Sequence, residues 1–347
     1  RFVILNEYIR VGDQFKMTNL PEGYYMMKTF YGRNWNHEKP FKDRNVNLSG
    51  GFTENFFFKK PDGGKRYWEV YDLNTSFTSY EITLEPLTPS ITTNLEPVNG
   101  GLLSWNLRDF GQTKNAKELE LISKIIKNFD LVAIQEVVAG PGGAQAVALL
   151  ADELNRTGAK WDYRISNPTQ SPLYKTERYA FLWKTGKVGI VGSPWLESSL
   201  SQKIYREPYL ARFSIKEDTF LIASYHSRPS REEPQEELRH LFQLPDNYPN
   251  DVVILAGDFN IESNDPIFRI IYSKGYLSSP NFLKTTLKTQ CNGGEYLNRA
   301  IDHIFYPSRN KTFAPSGVVD FVGGCDQLVL GRQISDHLPV WVLLELD

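Results

Sequence analysis

The sequence predicts an α/β protein in which two mixed β-sheets pack together beneath outer helices, preceded by a small all-β module. Three observations predict it. From about residue 101 onward, apolar runs of strand length alternate with amphipathic stretches of helical spacing. Several of those runs follow one another through short polar turns with no helix between them, which argues for mixed sheets rather than one parallel sheet. Before about residue 87, helical spacing is absent and short aromatic-rich runs alternate with turns.

In the first region Tyr24–Phe30, Asn55–Lys59, Tyr67–Leu73 and Ser79–Leu84 read as strands. Pro61-Asp62-Gly63-Gly64 reads as a hairpin turn, because glycine takes the positive φ angles such turns need. Leu20-Pro21-Glu22-Gly23-Tyr24 resembles the edge turn of small transthyretin-like accessory modules, which speaks to shape and not to chemistry. The aromatics Tyr24, Phe30, Phe56, Phe57, Phe58, Tyr67 and Trp68 are expected to fill a thin sandwich core rather than to form a ligand face. Residues 88–100, polar and carrying Pro89 and Pro97, read as an extended linker. The expected division is therefore 1–87, 88–100 and 101–347, with the first module free to bind a partner of its own.

The second region opens with the buried-strand run Leu102-Leu103-Ser104-Trp105. A helix is expected over Ala116–Phe129, with Leu119, Ile122, Ile125, Ile126 and Phe129 on one face. A strand follows at Asp130–Ile134, then a flexible loop at Ala139-Gly140-Pro141-Gly142-Gly143 and a helix over Ala144–Leu154. Further strands are expected at Tyr179–Trp183, Leu210–Ile215, Phe220–Tyr225, Val252–Ala256, Ala300–Tyr306 and Val340–Leu344.

With 347 residues, 41% hydrophobic and 23% charged, the composition excludes a disordered or collagen-like chain. A formal net charge of -2 excludes a global attraction to polyanions, so nucleic-acid binding has to come from a local basic rim. No apolar run reaches the roughly 18 residues of a membrane-crossing helix. Arg1, with no methionine or apolar leader-like stretch, reads as the start of an excised or processed fragment. Cys291 and Cys325, separated by 34 positions, allow either one disulfide or two buried thiols. That choice leaves the compartment open, with a secreted or cell-envelope setting favoured.

Polar residues stand at the C-terminal ends of apolar strands, where α/β folds place their ligand crevice. They are Asn106, Glu136, His226, and Asp258 with Asn260. Each alone reads as a strand-end turn or helix cap, and Asp336-His337 alone as a turn before the last strand. Together, hard oxygen donors and histidines describe a magnesium-assisted phosphoryl site.

Ser104-Trp105-Asn106-Leu107-Arg108, Ile134-Gln135-Glu136-Val137, Gly257-Asp258-Phe259-Asn260 and Ser335-Asp336-His337-Leu338-Pro339-Val340 occur in the order used by the endonuclease/exonuclease/phosphatase superfamily. About residues 101 to 346 resemble that superfamily, and three further stretches resemble its deoxyribonuclease I branch. They are Tyr174-Lys175-Thr176-Glu177-Arg178-Tyr179, Arg206-Glu207-Pro208 and His226-Ser227-Arg228-Pro229-Ser230. The resemblance implies a four-layer sandwich and a hydrolase cutting DNA phosphodiester bonds with activated water and Mg2+, or Mn2+ in its place. It implies that Glu136, with Asn106, holds the cation against the scissile phosphate. Asp258, Asn260 and Asp336 would form a second cluster that orients water and admits a further ion, with the amide of Asn260 or Asn106 donating to a phosphate oxygen. His226 and His337 would be the acid–base pair, oriented by Glu177 and Asp302 respectively.

Arg108, Lys175, Arg206 and Arg228 neighbour these motifs and would grip flanking phosphates, giving weak sequence preference. Tyr174 would lie against a sugar in the minor groove or pack in the core. His303 stands where the resembled branch has an arginine and is expected to be structural. Val138 replaces another arginine of that branch, so its minor-groove grip on duplex DNA is not carried over. The stretch between Cys291 and Asp302 is longer than in that branch and lacks its calcium-site acids, so structural calcium is not implied. Two alternatives compete: a phosphodiesterase or phosphatase of the same superfamily acting on phospholipid or phosphoinositide head groups, and a catalytically dead binding module. The latter would lack a metal Glu or catalytic His; both are present.

Overall fold

The computed structural model describes residues 23–32, 48–58, 96–111, 114–172, 175–280, 282–308 and 314–344. The chain divides into two compact units, Arg1–Pro86 and Leu87–Asp347. The described part of the first unit is an antiparallel pair, β1 (Gly23–Gly32) and β2 (Leu48–Phe58), with Gly23 opposite Phe58. The runs at Tyr24–Phe30 and Asn55–Phe58 fall on these strands. The runs at Tyr67–Leu73 and Ser79–Leu84 and the turn at Pro61–Gly64 lie outside the described residues.

The second unit begins with β3 (Gly101–Phe110), β4 (Leu131–Val138), β5 (Trp161–Ile165) and β6 (Glu177–Lys184). It continues with β7 (Val188–Leu196), β8 (Tyr209–Ile215), β9 (Asp218–His226) and β10 (Val252–Asp258). β11 (Tyr276–Ser279), β12 (Leu287–Asn292), β13 (Glu295–Leu297), β14 (Asp302–Pro307), β15 (Ser316–Val318) and β16 (Val340–Leu343) complete the strands. The helices are α1 (Ala116–Ile126), α2 (Pro141–Asn155), α3 (Gln235–Leu241), α4 (Leu244–Asn247), α5 (Arg269–Tyr272) and α6 (Leu328–Ile334).

One six-stranded sheet runs β15-β16-β3-β4-β6-β5 and the other β11-β14-β10-β9-β8-β7. Each is mixed, with β3–β4 parallel in the first and β9–β10 parallel in the second. Strand β4 shows why the layers stack: alternate side chains point to opposite faces. Leu131 and Ala133 join the core between the sheets with Phe181, Phe213, Ile222 and Ile254, while Val132 and Ile134 pack outward. The outward face is covered by apolar residues of α1, α2 and α6, including Ile122, Val147 and Leu328. On the other sheet, Leu221, Val253 and Leu255 pack beneath Leu238, Leu241, Phe242 and Phe268. The result is a four-layer α/β sandwich.

Local chemistry sets the helix starts. Asn115 caps α1 in a reciprocal capping box: its side chain accepts from the Glu118 amide, and the Glu118 carboxylate accepts from the Asn115 amide. The stretch expected to be a flexible loop, Ala139–Gly143, instead contributes the first turn of α2, with Pro141 at its start. Proline fits there because its missing N–H would have no helical partner. Gly143 is required because a Cβ would lie 2.0 Å from the carbonyl oxygen of Val138. Within residues 96–100 of the expected linker, the Val98 amide donates to the Asn128 carbonyl. Cys291 and Cys325 form a disulfide, which ties β12 to the turn preceding α6.

Candidate active site

The site forms where the C-terminal ends of β3, β4, β9 and β10 meet the start of β14 and the turn before β16. The pairing registers of β3 and β4 are interrupted between Asn106 and Phe110 and between Ile134 and Val137. Such interruptions bend a strand and re-aim its side chains. Four non-glycine residues there have left-handed backbone, Arg108 at φ 39°, Asp109 at 49°, Glu136 at 58° and Asn260 at 54°. Each such residue costs on the order of 1 kcal/mol or more, and strain of this kind concentrates at functional sites. Gly257, at φ 151°, is the glycine the site cannot replace: a Cβ would lie 1.8 Å from the Tyr225 carbonyl oxygen. That close approach lets β10 run parallel to β9 with Asp258 level with His226.

Asp258 is the hub. It is 1% exposed, and its Oδ1 accepts from the Asn260 amide at 2.9 Å. Its Oδ2 lies 3.2 Å from Asn106 Nδ2, 3.6 Å from His226 Nε2 and 3.7 Å from His337 Nε2. Two carboxylate–histidine pairs therefore converge on one oxygen. In the first, His226 Nδ1 meets Glu177 at 3.0 Å, and Arg206 Nε donates to the same carboxylate at 2.9 Å. In the second, His337 Nδ1 meets Asp302 at 2.9 Å, and the Thr285 hydroxyl donates to Asp302 at 2.6 Å. Engaging Nδ1 with a carboxylate directs Nε2 of each ring into the site.

Burial is the largest influence on His226 and opposes protonation, as does the nearby charge of Arg206, yet the charge and hydrogen bond of Glu177 together with Asp258 raise the imidazole above its ordinary value. For His337 burial again opposes protonation, but Asp302 and then Asp258 raise it to about 10. Asp258 itself is raised, chiefly by burial. His303 is different: buried among Phe259, Phe268 and Phe305 and bonded to the Ile261 carbonyl, it is pushed down to about 4 by burial.

Glu136 lies beside this hub. Its Oε1 accepts from Asn106 Nδ2 at 2.8 Å, its Oε2 accepts from the Asp109 amide at 3.1 Å, and Oε1 is 3.9 Å from His226 Nε2. Motifs far apart in sequence are joined by short polar links. The Ser335 hydroxyl donates to the Asn106 carbonyl at 2.6 Å and accepts from the His337 amide, while the Trp105 indole donates to the His337 carbonyl.

Several side chains occupy places other than those expected. Asn106 turns its amide nitrogen toward Glu136 and Asp258, and its oxygen accepts from the Arg108 amide at 2.9 Å. In this arrangement it holds two acids in place, because an NH2 group is what two neighbouring carboxylates attract. Asp336 lies 3.7 Å from Arg108 and 3.6 Å from Arg332. Among the described residues, the acid–histidine group compact enough to share an ion is Asp258, Asp302 and His337, without Asp336. Arg206 is buried, bound to Glu177 and to the carbonyls of Lys175 and Ser227, so its charge supports the histidine pair rather than facing solvent. Arg228 stacks over Tyr205 and donates to the Glu233 carbonyl, and Lys175 lies 3.6 Å from Glu232. Arg108 keeps an exposed side chain at the rim. Tyr174 lies outside the described residues.

Three contributors had no signal in the sequence. Thr285 supports Asp302 from a loop, the Asp109 backbone supports Glu136, and buried Glu237 accepts from Tyr225, Ser227 and the Arg228 amide to fix the turn after His226. Glu237 sits in the charged stretch Glu232–Arg239 and reads there as one more solvated acid.

The sequence profile described as the Endonuclease/Exonuclease/phosphatase family matches residues 103–337. The chain belongs to that family. Deoxyribonuclease-1 of Bos taurus is 32% identical over 275 residues, covering 70% of this chain and 91% of the relative. A deoxyribonuclease of Thioalkalivibrio sp. (strain K90mix) is 28% identical over 264 residues, covering 70% of each. A solved family protein from Leptotrichia buccalis C-1013-b superimposes with a TM-score of 0.53 at 16% identity, covering 71% of this chain and 99% of its own, a likeness of fold. The chain is thus a hydrolase of the deoxyribonuclease I-like kind.

Proposed function

We propose that this protein is a divalent-metal-dependent endonuclease that hydrolyses DNA phosphodiester bonds by activated-water attack, with little sequence preference. The observation that carries the reading is the convergence of His226 Nε2 and His337 Nε2 on Asp258 Oδ2, at 3.6 and 3.7 Å, with Glu136 adjoining. Hydrolysis of a phosphodiester needs one proton taken from water and one supplied to the departing oxygen, and two carboxylate-backed imidazoles can serve two oxygens. Glu177 and Asp302 hold each ring in the orientation this requires, and Asp258 between them favours the protonated form of either. Asn260, whose amide nitrogen lies 3.3 Å from the Ser227 carbonyl, stands at the same strand end and would help position a phosphate oxygen.

The donor chemistry fits a hard cation. Glu136 is a partly exposed carboxylate whose two oxygens each accept one hydrogen bond and keep a lone pair, and Mg2+ takes few protein ligands while retaining water and phosphate oxygens. The group Asp258, Asp302 and His337 is less suited, since Asp302 already serves His337 and Thr285. When bound, such an ion polarises the phosphoryl oxygens. Arg108 is the rim cation available to a flanking phosphate. Residues 1–87 and the linker 88–100 we propose as an accessory module outside the chemistry of 101–347.

Supercoiled plasmid incubated with the protein and Mg2+ should be nicked, and chelation should stop it. A protein that leaves plasmid intact yet releases phosphate from phosphoinositide vesicles would overturn the reading. A chain starting near residue 96 should keep its nicking activity, and its complete loss would refute the accessory role.

A further inference from the structure

Beside His337 lies a cleft of about 570 Å3 lined in part by β12, the first strand of the hairpin β12–β13, a two-stranded unit belonging to neither six-stranded sheet. The hairpin is fixed from several sides. Its first strand is bonded to the turn before α6 through Cys291–Cys325, Arg332 Nη1 donates to the carbonyls of Leu287 and Lys288 at 3.0 and 3.2 Å, and the Leu287 amide donates to the Asp336 carbonyl. The turn at Gly293-Gly294 has φ 59° and 85°, which lets two residues reverse the chain. A wall anchored in this way keeps its place relative to His337 without help from the substrate.

The lining has a definite chemistry. Lys288, Arg299 and Arg332 supply cationic donors, while Thr289, Gln290 and Asn298 supply uncharged groups that both donate and accept. Each cation has a carboxylate neighbour, Lys288 with Glu295 at 3.1 Å, Arg299 with Glu262 at 2.9 Å and Arg332 with Asp336 at 3.6 Å. Lys288 is half-buried while its partner Glu295 is exposed, and a pair open to water on one side is weak, so a phosphate can compete for that ammonium group. A cleft of this size lies within the roughly 300–1,000 Å3 of small-ligand pockets, which suits one nucleotide. Anionic and base-edge recognition side by side, beginning at a candidate acid–base histidine, describes a place for a nucleotide that is not base-paired.

We propose that this cleft seats one unpaired nucleotide flanking the scissile phosphate on the His337 side, so that the enzyme prefers single-stranded or frayed strands to intact duplex. The inference rests on the nuclease reading above. The full chain should cleave a single-stranded oligonucleotide at least about tenfold faster, in kcat/KM, than the same strand in a duplex. The double variant Lys288→Glu, Gln290→Ala should reduce that ratio about fivefold or more, mainly by raising KM on the single strand. The variant Cys291→Ser, Cys325→Ser, which frees the wall, should reduce it in the same direction. Equal rates on both substrates in the unmodified protein, or a ratio that neither variant moves, would overturn the proposal.

Titration with thymidine 5′-monophosphate, followed through backbone amide resonances, separates this proposal from the reading beneath it. Shifts at Thr289, Gln290 and Asn298 without plasmid nicking would remove the nuclease and keep the subsite. Plasmid nicking with those amides unmoved would keep the nuclease and remove the subsite.

Discussion

In one arm of the site Glu177 stands between His226 and the guanidinium of Arg206; in the other Asp302 stands between His337 and the hydroxyl of Thr285. Both arms aim Nε2 at the same oxygen of Asp258 and both carboxylates are buried. The difference lies in what backs the acid. A cation behind Glu177 shares its negative charge and acts directly against protonation of His226. A neutral hydroxyl behind Asp302 leaves that charge to the imidazole, and His337 rises to about 10. Similar geometry thus places unlike groups behind two imidazoles that are both raised above their ordinary value.

Removing either arm should have the largest effect. His226→Ala and His337→Ala should each slow plasmid cleavage by about a hundredfold to ten-thousandfold. If the arms serve one step, the double variant should be little slower than the worse single in single-turnover rates. Losses that multiply would show that the arms work independently and break the comparison.

Arg206→Gln should come next. It strips a buried carboxylate of its cation, so urea unfolding should show a loss of about 3 kcal/mol, and the imidazole resonance of His226 should titrate at higher pH than before. A His226 titration that stays in place would mean that Arg206 does not balance Glu177.

Asp302→Asn sharpens the same contrast from the other side. His337 has a folded-state pKa of about 10, above its ordinary 6.5. Protonation therefore favours the folded state: the stabilisation is complete below 6.5 and is lost as pH rises through about 10. Unfolding free energies at neutral and at alkaline pH should differ less in Asp302→Asn than in the unmodified protein, and an equal difference would detach Asp302 from the titration of His337. The smallest change, Thr285→Val, should slow cleavage about tenfold or less, since it removes one hydrogen bond to Asp302 while leaving the pair. A loss as large as that of His337→Ala would make Thr285 a full member of the arm.

Much of the framework was legible in sequence because strands buried on both faces write continuous apolar runs, as at Leu131–Ile134, Leu221–Tyr225 and Val252–Ala256. Strand β7 was not, since its largely solvent-facing residues include Gly189, Gly192 and Pro194, which erase any alternation. The start of α2 was misread as loop because glycine and proline there serve a tight approach to Val138 that only the folded chain contains.

The sequence by itself determined the order of layers and the kinds of side chain delivered to the strand ends, because apolar periodicity and strand-end polarity are local properties of the chain. Tertiary structure alone decided how those side chains are employed. Whether Arg206 meets solvent or Glu177, whether Asp336 joins Asp258 or Arg332, and whether Cys291 finds Cys325 depend on neighbours brought together from distant parts of the chain. A charge takes its meaning from the partner a few ångströms away and from the water excluded around it, and neither is written at its own position.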